Sequence, residues 1–334
     1  MLPLDHPPVS TGRIGVLLVN LGTPDAPTSS AVKRYLAEFL SDPRVVEIPQ
    51  ILWQPILRGI ILNVRPKKSA HAYAQVWTEK GSPLAAITAA QAEALQVRLG
   101  QAVRVDWAMR YGNPAIASGI AGLKEQGCDR ILLAPLYPQY SAATTATAVD
   151  AAGDALKAMR WQPALRVMPP YHDDPAYITA LARDIGGQLD ALDFVPQVLL
   201  LSFHGMPQRT LDLGDPYHCQ CRKTARLLEE ALARPDLRIE TTFQSRFGRA
   251  KWLEPATDAV LTEEARKGTS RIAIAAPGFS ADCLETLEEL AIRGREQFTA
   301  AGGDRFAALA CLNAGEPGMD MLEALVRREL AGWL

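Results

Sequence analysis

The chain alternates between short, continuous apolar runs and longer stretches with helical periodicity. Residues 13–21 (RIGVLLVNL), 130–135 (RILLAP), 197–203 (QVLLLSF) and 271–277 (RIAIAAP) are apolar at successive positions. Such runs predict strands buried on both faces. Weaker strand patterns fall at 103–109, 164–168 and 240–243. Apolar residues at helical spacing predict helices over 31–39, 83–99, 115–126, 142–158, 176–189, 223–233, 255–267, 282–300 and 319–330. Buried strands separated by helices predict an α/β fold with parallel sheets covered on both sides.

The pattern also repeats. VLLVNLGTP at 16–24 echoes VLLLSFHGMP at 198–207, and the second copy carries one extra residue, His204. GCDRILLAPLY at 127–137 echoes GTSRIAIAAPGF at 268–279. The echo predicts two similar doubly wound, Rossmann-like domains, residues 1–165 and 166–334. Ligands of open parallel sheets bind beyond the carboxyl ends of the strands. The echoed segments end there, so a cleft between the two domains is the expected site.

Composition narrows the class. Of 334 residues, 48% are hydrophobic and 22% charged, enough for a substantial core. A net charge of −2 lacks the basic footprint of a nucleic-acid binder. The first residues carry no basic-then-apolar leader, and no apolar run approaches the ~20 residues that span a bilayer. A cytoplasmic protein whose five cysteines are reduced is expected.

Two segments carry candidate chemistry. His204 follows a buried strand and precedes Gly205 and Pro207, so a tight turn sets it at the strand mouth. There it can be a base, a metal ligand, or simply a ring bonded to a local carbonyl. The second segment is APGFSADCLETLEEL at 276–290. At ~100° per residue, Asp282, Glu285 and Glu289 share one helical face and Glu288 turns towards solvent. An acidic stripe can bind or conduct a hard cation or accept protons, although helix capping explains part of it.

Taken in series, SFHGMP and PGFSADCLETLEEL, with VNLGTPD (19–25), GSP (81–83), Arg110-Tyr111, LYPQYS (136–141), GDPY (214–217), FQSRFG (243–248) and Trp252-Leu253, resemble the ferrochelatases. The likeness runs from about residue 14 to the C-terminus and is strongest to the Gram-negative bacterial type. It implies Fe²⁺ insertion into a porphyrin, with His204 and Glu285 as the catalytic pair. Metal contact is then expected at His204, Glu285 and Glu289, and the Asp282/Glu285/Glu289 face as a relay. Leu21, Arg65, Ser82, Arg110, Tyr111, Tyr137, Trp252 and Phe279 match positions on the porphyrin cleft, with Arg65 meeting a carboxylate. Residues 51–64, which hold Trp53, Ile56, Leu57, Ile60 and Ile61 but are interrupted by Pro55 and Gly59, match a lip over that cleft that touches membranes peripherally. Read from the residues alone, the same stretch is also a candidate buried helix.

Departures from the family pattern matter as well. Cys283 stands where many relatives carry histidine, and Arg293 where some carry an acid, so an acidic relay would stop at Glu289. Animal relatives hold a [2Fe–2S] cluster. Here Ala142 replaces its first cysteine and the C-terminal extension is missing, so no cluster and no permanent cofactor are expected, with Fe²⁺ as substrate. His218-Cys219-Gln220-Cys221 lacks the C-x₂₋₄-C spacing of structural zinc. Three rivals remain at this stage. A cobalt or nickel chelatase would show two histidines at the metal site. A porphyrin carrier would not need the His204/Glu285 pair. A nucleotide-binding protein would show a glycine-rich turn where this chain has Asn20-Leu-Gly-Thr-Pro24. Protoporphyrin and coproporphyrin both stay open as substrates, the Gram-negative likeness favouring the first; oligomeric state stays open too.

Overall fold

The computed structural model describes residues 6, 10–248 and 250–334. The remaining positions, which include most of the N-terminal stretch read as lacking a leader, lie outside the described residues. Strands β1 (Arg13–Thr23), β2 (Val103–Gly112), β3 (Cys128–Pro135) and β4 (Ala164–Val167) form one sheet in the order β2-β1-β3-β4. Strands β5 (Val198–His204), β6 (Arg238–Gln244), β7 (Arg271–Ala275) and β8 (Arg305–Ala308) form a second in the order β6-β5-β7-β8. Every pairing is parallel. The two orders are the same, and the sequence echo falls on matching strands, β1 with β5 and β3 with β7.

Helices flank both sheets: α1 (Ser29–Ser41), α2 (Gln50–Ile56), α3 (Leu62–Val76), α4 (Pro83–Leu99), α5 (Ile116–Glu125) and α6 (Thr147–Lys157) in the first half. The rest are α7 (Pro175–Asp190), α8 (Gln208–Asp212), α9 (Tyr217–Leu232), α10 (Thr257–Arg266), α11 (Arg295–Ala300) and α12 (Glu316–Glu329). Three π-helical segments, Leu57–Ile61, Ala142–Ala146 and Glu285–Gly294, each run directly into an α-helix.

Alternation along the strands explains why their apolar runs are unbroken. Val16 and Leu18 face one side with α4 and α7, while Leu17 and Val19 face the other with α5 and α6. In the second sheet Leu199, Leu201 and Phe203 join the same core as Val16 and Leu18, while Val198 and Leu200 pack with α10 and α11. One apolar core therefore runs from sheet to sheet. Helix α12 closes it from behind by packing on α4 and α7, with Arg98 of α4 paired to Asp320 and Glu323 at 2.7 and 3.2 Å.

Two elements differ from expectation. Strand β8 (RFAA) is absent from the predicted set, because four residues with a single aromatic make too short a run. Residues 50–76 are helical nearly throughout. Pro55 and Pro66 each remove an N–H donor from the helix ladder, and they bracket the wider π turn at 57–61. This helix is two-faced. Trp53, Leu57 and Leu62 are buried against Tyr35, Leu36 and Tyr73, whereas Ile51, Leu52, Ile56, Ile60 and Val64 are exposed. Leu57 is thus a core residue and not part of the lip. No helix among the described residues is long and apolar enough to cross a membrane.

Candidate active site

In each sheet the first strand lies between the second and the third, so the winding direction switches beside it. That arrangement leaves a crevice at the carboxyl ends of β1/β3 and of β5/β7. His204, half-buried, is the last residue of β5 and pairs in register with Gln244 of β6. The next residue, Gly205, donates its N–H to the Gln244 carbonyl at 2.7 Å. A Cβ at Gly205 would collide with that carbonyl, so the turn requires glycine. The His204 Nδ1 lies 2.7 Å from the Gly205 carbonyl oxygen. A carbonyl can only accept, so in the neutral ring Nδ1 carries the proton and Nε2 keeps a free lone pair. The local carbonyl bond and the base-or-ligand role are therefore compatible: the bond fixes the tautomer that the role needs. Phe279 sits beside the imidazole, ring centroids 6.5 Å apart.

Glu285 enters from the loop after β7 and opens the π-helical segment Glu285–Gly294. Gln244 links the two candidates, because its Nε2 donates to the Glu285 carbonyl at 3.5 Å while its backbone pairs with His204. Glu285 is half-buried among side chains of the first half. Burial raises the pKa of Tyr35, Tyr73 and Cys283, and the Glu285 charge adds to each. Burial lowers Arg65, and the same charge opposes that shift. Tyr35 and Tyr73 were not singled out from sequence, and Cys283 only as standing where many relatives carry histidine. Cys283 lies within the recognised motif, but the tyrosines sit in helices whose spacing reads only as core.

The acidic stripe needs correction. The count of ~100° per residue assumes an α-helix, and this segment is π-helical. Asp282 is buried and tied to the loop after β8, accepting from Thr286 Oγ1 at 2.8 Å and Asn313 Nδ2 at 2.7 Å. It braces the segment against the loop after β8. Glu288 is buried, not solvated, and its two oxygens accept from Arg293 Nε at 2.8 and 3.0 Å. Residues five apart stand ~140° apart on an α-helix. The wider π turn brings them together. Glu289 accepts from the Ser245 N–H at 2.8 Å and the Ser245 hydroxyl at 2.6 Å. Among the described residues no group of three or more His, Cys, Asp and Glu is gathered as a ready metal cage.

The remaining cleft positions divide. Trp252 lies beside Gly205, and Arg65 lies over the Phe247 ring at 4.6 Å. Leu21 is half-buried near the end of β1 against the Tyr35 cluster. Ser82 is buried and accepts from Thr23 Oγ1 at 2.8 Å. Arg110 and Tyr111 instead converge on Asp42: Arg110 pairs with it at 2.5 Å, and the fully buried Tyr111 donates to it at 2.9 Å. In this conformation Tyr111 is core, because a carboxylate with four donors holds it there. Tyr137 is buried with its hydroxyl unpartnered among the described residues, and burial pushes its pKa up, so it remains a donor. The GDPY motif is a brace between halves, Asp215 accepting from the Ala142 N–H at 2.8 Å and the Tyr217 N–H at 3.0 Å. On α9, Cys219 is exposed and Cys221 buried, as residues two apart on a helix (~200°) must be.

The ferrochelatase family model matches residues 13–330. The ferrochelatase of Rhizobium meliloti (strain 1021) is 54% identical over 99% of this chain and 98% of its own. That of Agrobacterium fabrum is 53% identical over 100% and 98%. Among solved structures, SirB from Bacillus subtilis with Fe³⁺ superposes with a TM-score of 0.58 at 14% identity, covering 96% of this chain and 97% of that one. The sirohydrochlorin chelatase SirB from Bacillus subtilis subspecies spizizenii, in complex with cobalt, gives 0.54 at 12%, covering 95% of each. At such identities the structural likeness establishes the shared two-sheet fold. The sequence likeness, end to end and above half identity, establishes more: the chain belongs to the ferrochelatase family.

Proposed function

We propose that this protein inserts Fe²⁺ into protoporphyrin IX, releasing two protons and forming protohaem. The observation that carries the reading is the His204 ring, oriented by the Gly205 carbonyl so that Nε2 is free, at the same crevice as Glu285. Iron enters as a substrate. His204 Nε2 contacts the incoming metal and, once the metal has passed to the pyrrole nitrogens, its one lone pair accepts a pyrrole proton; Glu285, at the same crevice, accepts the second, and both protons pass on to water. Phe279 and Trp252 supply aromatic walls for a flat apolar ligand, and Arg65 a cation for a porphyrin carboxylate. Holding the macrocycle bent, so that pyrrole lone pairs turn towards the metal, is strain supported by binding energy from the remote contacts. The exposed Ile51, Leu52, Ile56, Ile60 and Val64 face suits peripheral contact with a bilayer, where porphyrins partition, by a protein that works in the cytoplasm.

Anaerobic incubation with protoporphyrin and Fe²⁺ tests this. The porphyrin spectrum converts to that of haem if the reading holds, and stays unchanged with a carrier. Parallel incubation with coproporphyrin III is expected to turn over more slowly; faster turnover would reassign the substrate.

A further inference from the structure

Loop 245–248, after β6, is held at three points and presents one aromatic ring. Ser245, at a positive φ of 64°, gives both its N–H and its hydroxyl to Glu289. Arg246 pairs with both oxygens of Asp258 at 2.7 and 2.8 Å. The Phe247 carbonyl accepts from Trp252 Nε1 at 2.9 Å. So anchored, the loop holds the Phe247 ring out, half its surface exposed, and Arg65 of α3 covers it from the opposite half at 4.6 Å. Arg65 is largely buried, yet it makes no hydrogen bond or ion pair among the described residues. A guanidinium whose neighbours are that ring and the Glu285 charge, with no hydrogen bond to hold it, is poised to exchange the ring for a carboxylate.

We propose that Phe247 competes with the porphyrin for Arg65: the two side chains form a latch between the two halves, and a porphyrin carboxylate opens it by displacing the ring from the guanidinium. Glu289 is the positioning residue that holds the loop carrying the ring. The inference rests on the porphyrin reading above and adds to it the Arg65–Phe247 contact. The Phe247 ring is half exposed, so the pair sits at the screened end of the cation–π range, about 0.5–1 kcal/mol, and removing the ring should raise affinity about two- to five-fold.

The test is stopped-flow porphyrin fluorescence with the full chain and no metal, using mesoporphyrin, which carries two carboxylates, and etioporphyrin, which carries none. Phe247→Leu keeps an apolar side chain without a π face, and its fold is checked by circular dichroism. It should bind mesoporphyrin about two- to five-fold tighter, mainly through faster association, with etioporphyrin unchanged. In an Arg65→Ala background the same substitution should do nothing. Glu289→Gln should reproduce part of the Phe247→Leu rate change, and Glu289→Asp should restore the normal rate. Weaker binding by Phe247→Leu in both backgrounds would make the ring a stacking contact and overturn the latch, as would no change at all. Failure of the unaltered chain to bind either porphyrin would overturn the function on which the latch rests.

Discussion

At the carboxyl ends of β1, β2 and β3 stand Leu21, Tyr111 and Tyr137; at the matching ends of β5 and β7 stand His204 and, in the loop beyond, Phe279 and Glu285. The strand order is the same in both sheets. In the first, Asp42 accepts from Arg110, Tyr111, Thr147 and the Arg44 backbone, and the Tyr137 hydroxyl, unpartnered among the described residues, stays protonated because burial pushes its pKa up. In the second, β5 ends on one additional residue, His204, whose ring has one nitrogen bonded and one free. The comparison teaches that a duplicated crevice acquires chemistry by leaving a basic lone pair unsatisfied, which a protonated phenol does not supply. Its twin becomes a rigid wall by satisfying every polar atom around Asp42.

The largest effects should come from the reactive end. His204→Ala and Glu285→Gln should each lower kcat for Fe²⁺ insertion by about 10²-fold or more, the usual scale of a positioned acid–base group. Melting temperature should hardly move. Turnover near that of the unaltered protein in either variant would break the assignment.

The closed end should respond in stability. Asp42 is buried and paired with Arg110, so Asp42→Asn should cost about 3–5 kcal/mol by stranding the cation. Burial alone would raise the Asp42 carboxyl, but hydrogen bonds from Thr147, the Arg44 backbone and Tyr111, with the Arg110 charge, outweigh it and hold the carboxyl below its ordinary 3.8. A folded pKa below the unfolded one stabilises the fold above the unfolded value. That contribution is lost as pH falls through the folded pKa. Acid melting curves should therefore show a loss of stability below about pH 4 that Asp42→Asn lacks. Identical acid profiles would mean that the network does not control this end.

A similar contrast runs along residues 50–76. Leu57 is fully buried and Ile60 exposed. Leu57→Ala should cost about 2–5 kcal/mol, as truncations in packed cores do. Ile60→Asn should leave melting unchanged while weakening co-sedimentation with vesicles. Equal melting for the two variants would contradict the two-faced helix.

What was legible in the sequence follows from which signals are local. Four of the strands announce themselves because burial on both faces demands unbroken apolar runs, three edgeward or half-buried ones leave only weaker patterns, and His204 stands out because the echo is otherwise in register. Helix 50–76 was obscured because Pro55 and Gly59 read as breakers, whereas the chain accommodates them, and Pro66 beyond, around a π turn. Tyr111 passed for a cleft residue because nothing near it in sequence predicts Asp42, brought from the end of α1 by the fold. The direction of the acidic side chains was misjudged for a related reason: a periodicity argument is only as good as the helix type it assumes.

The smallest effect tests that last point. Glu288 was expected to face solvent and is instead buried, its carboxylate held by Arg293 five residues on. The Arg293 side chain is itself 56% exposed, so water screens much of the attraction. Glu288→Gln keeps the shape and leaves a neutral acceptor, and should cost about 1 kcal/mol, roughly the upper end for screened pairs. In a chain of this size that is a fall of about 2–4 °C in Tm or less. Activity should stay within about two-fold, because the side chain points to Arg293 and not to the crevice that holds Glu285. Arg293→Gln should lower Tm similarly, and the double variant should cost less than the sum of the two. If Glu288→Gln lowered kcat as much as Glu285→Gln, the π segment would have to present Glu288 to the substrate. The contrast between a reactive Glu285 and a bracing Glu288 would then fail.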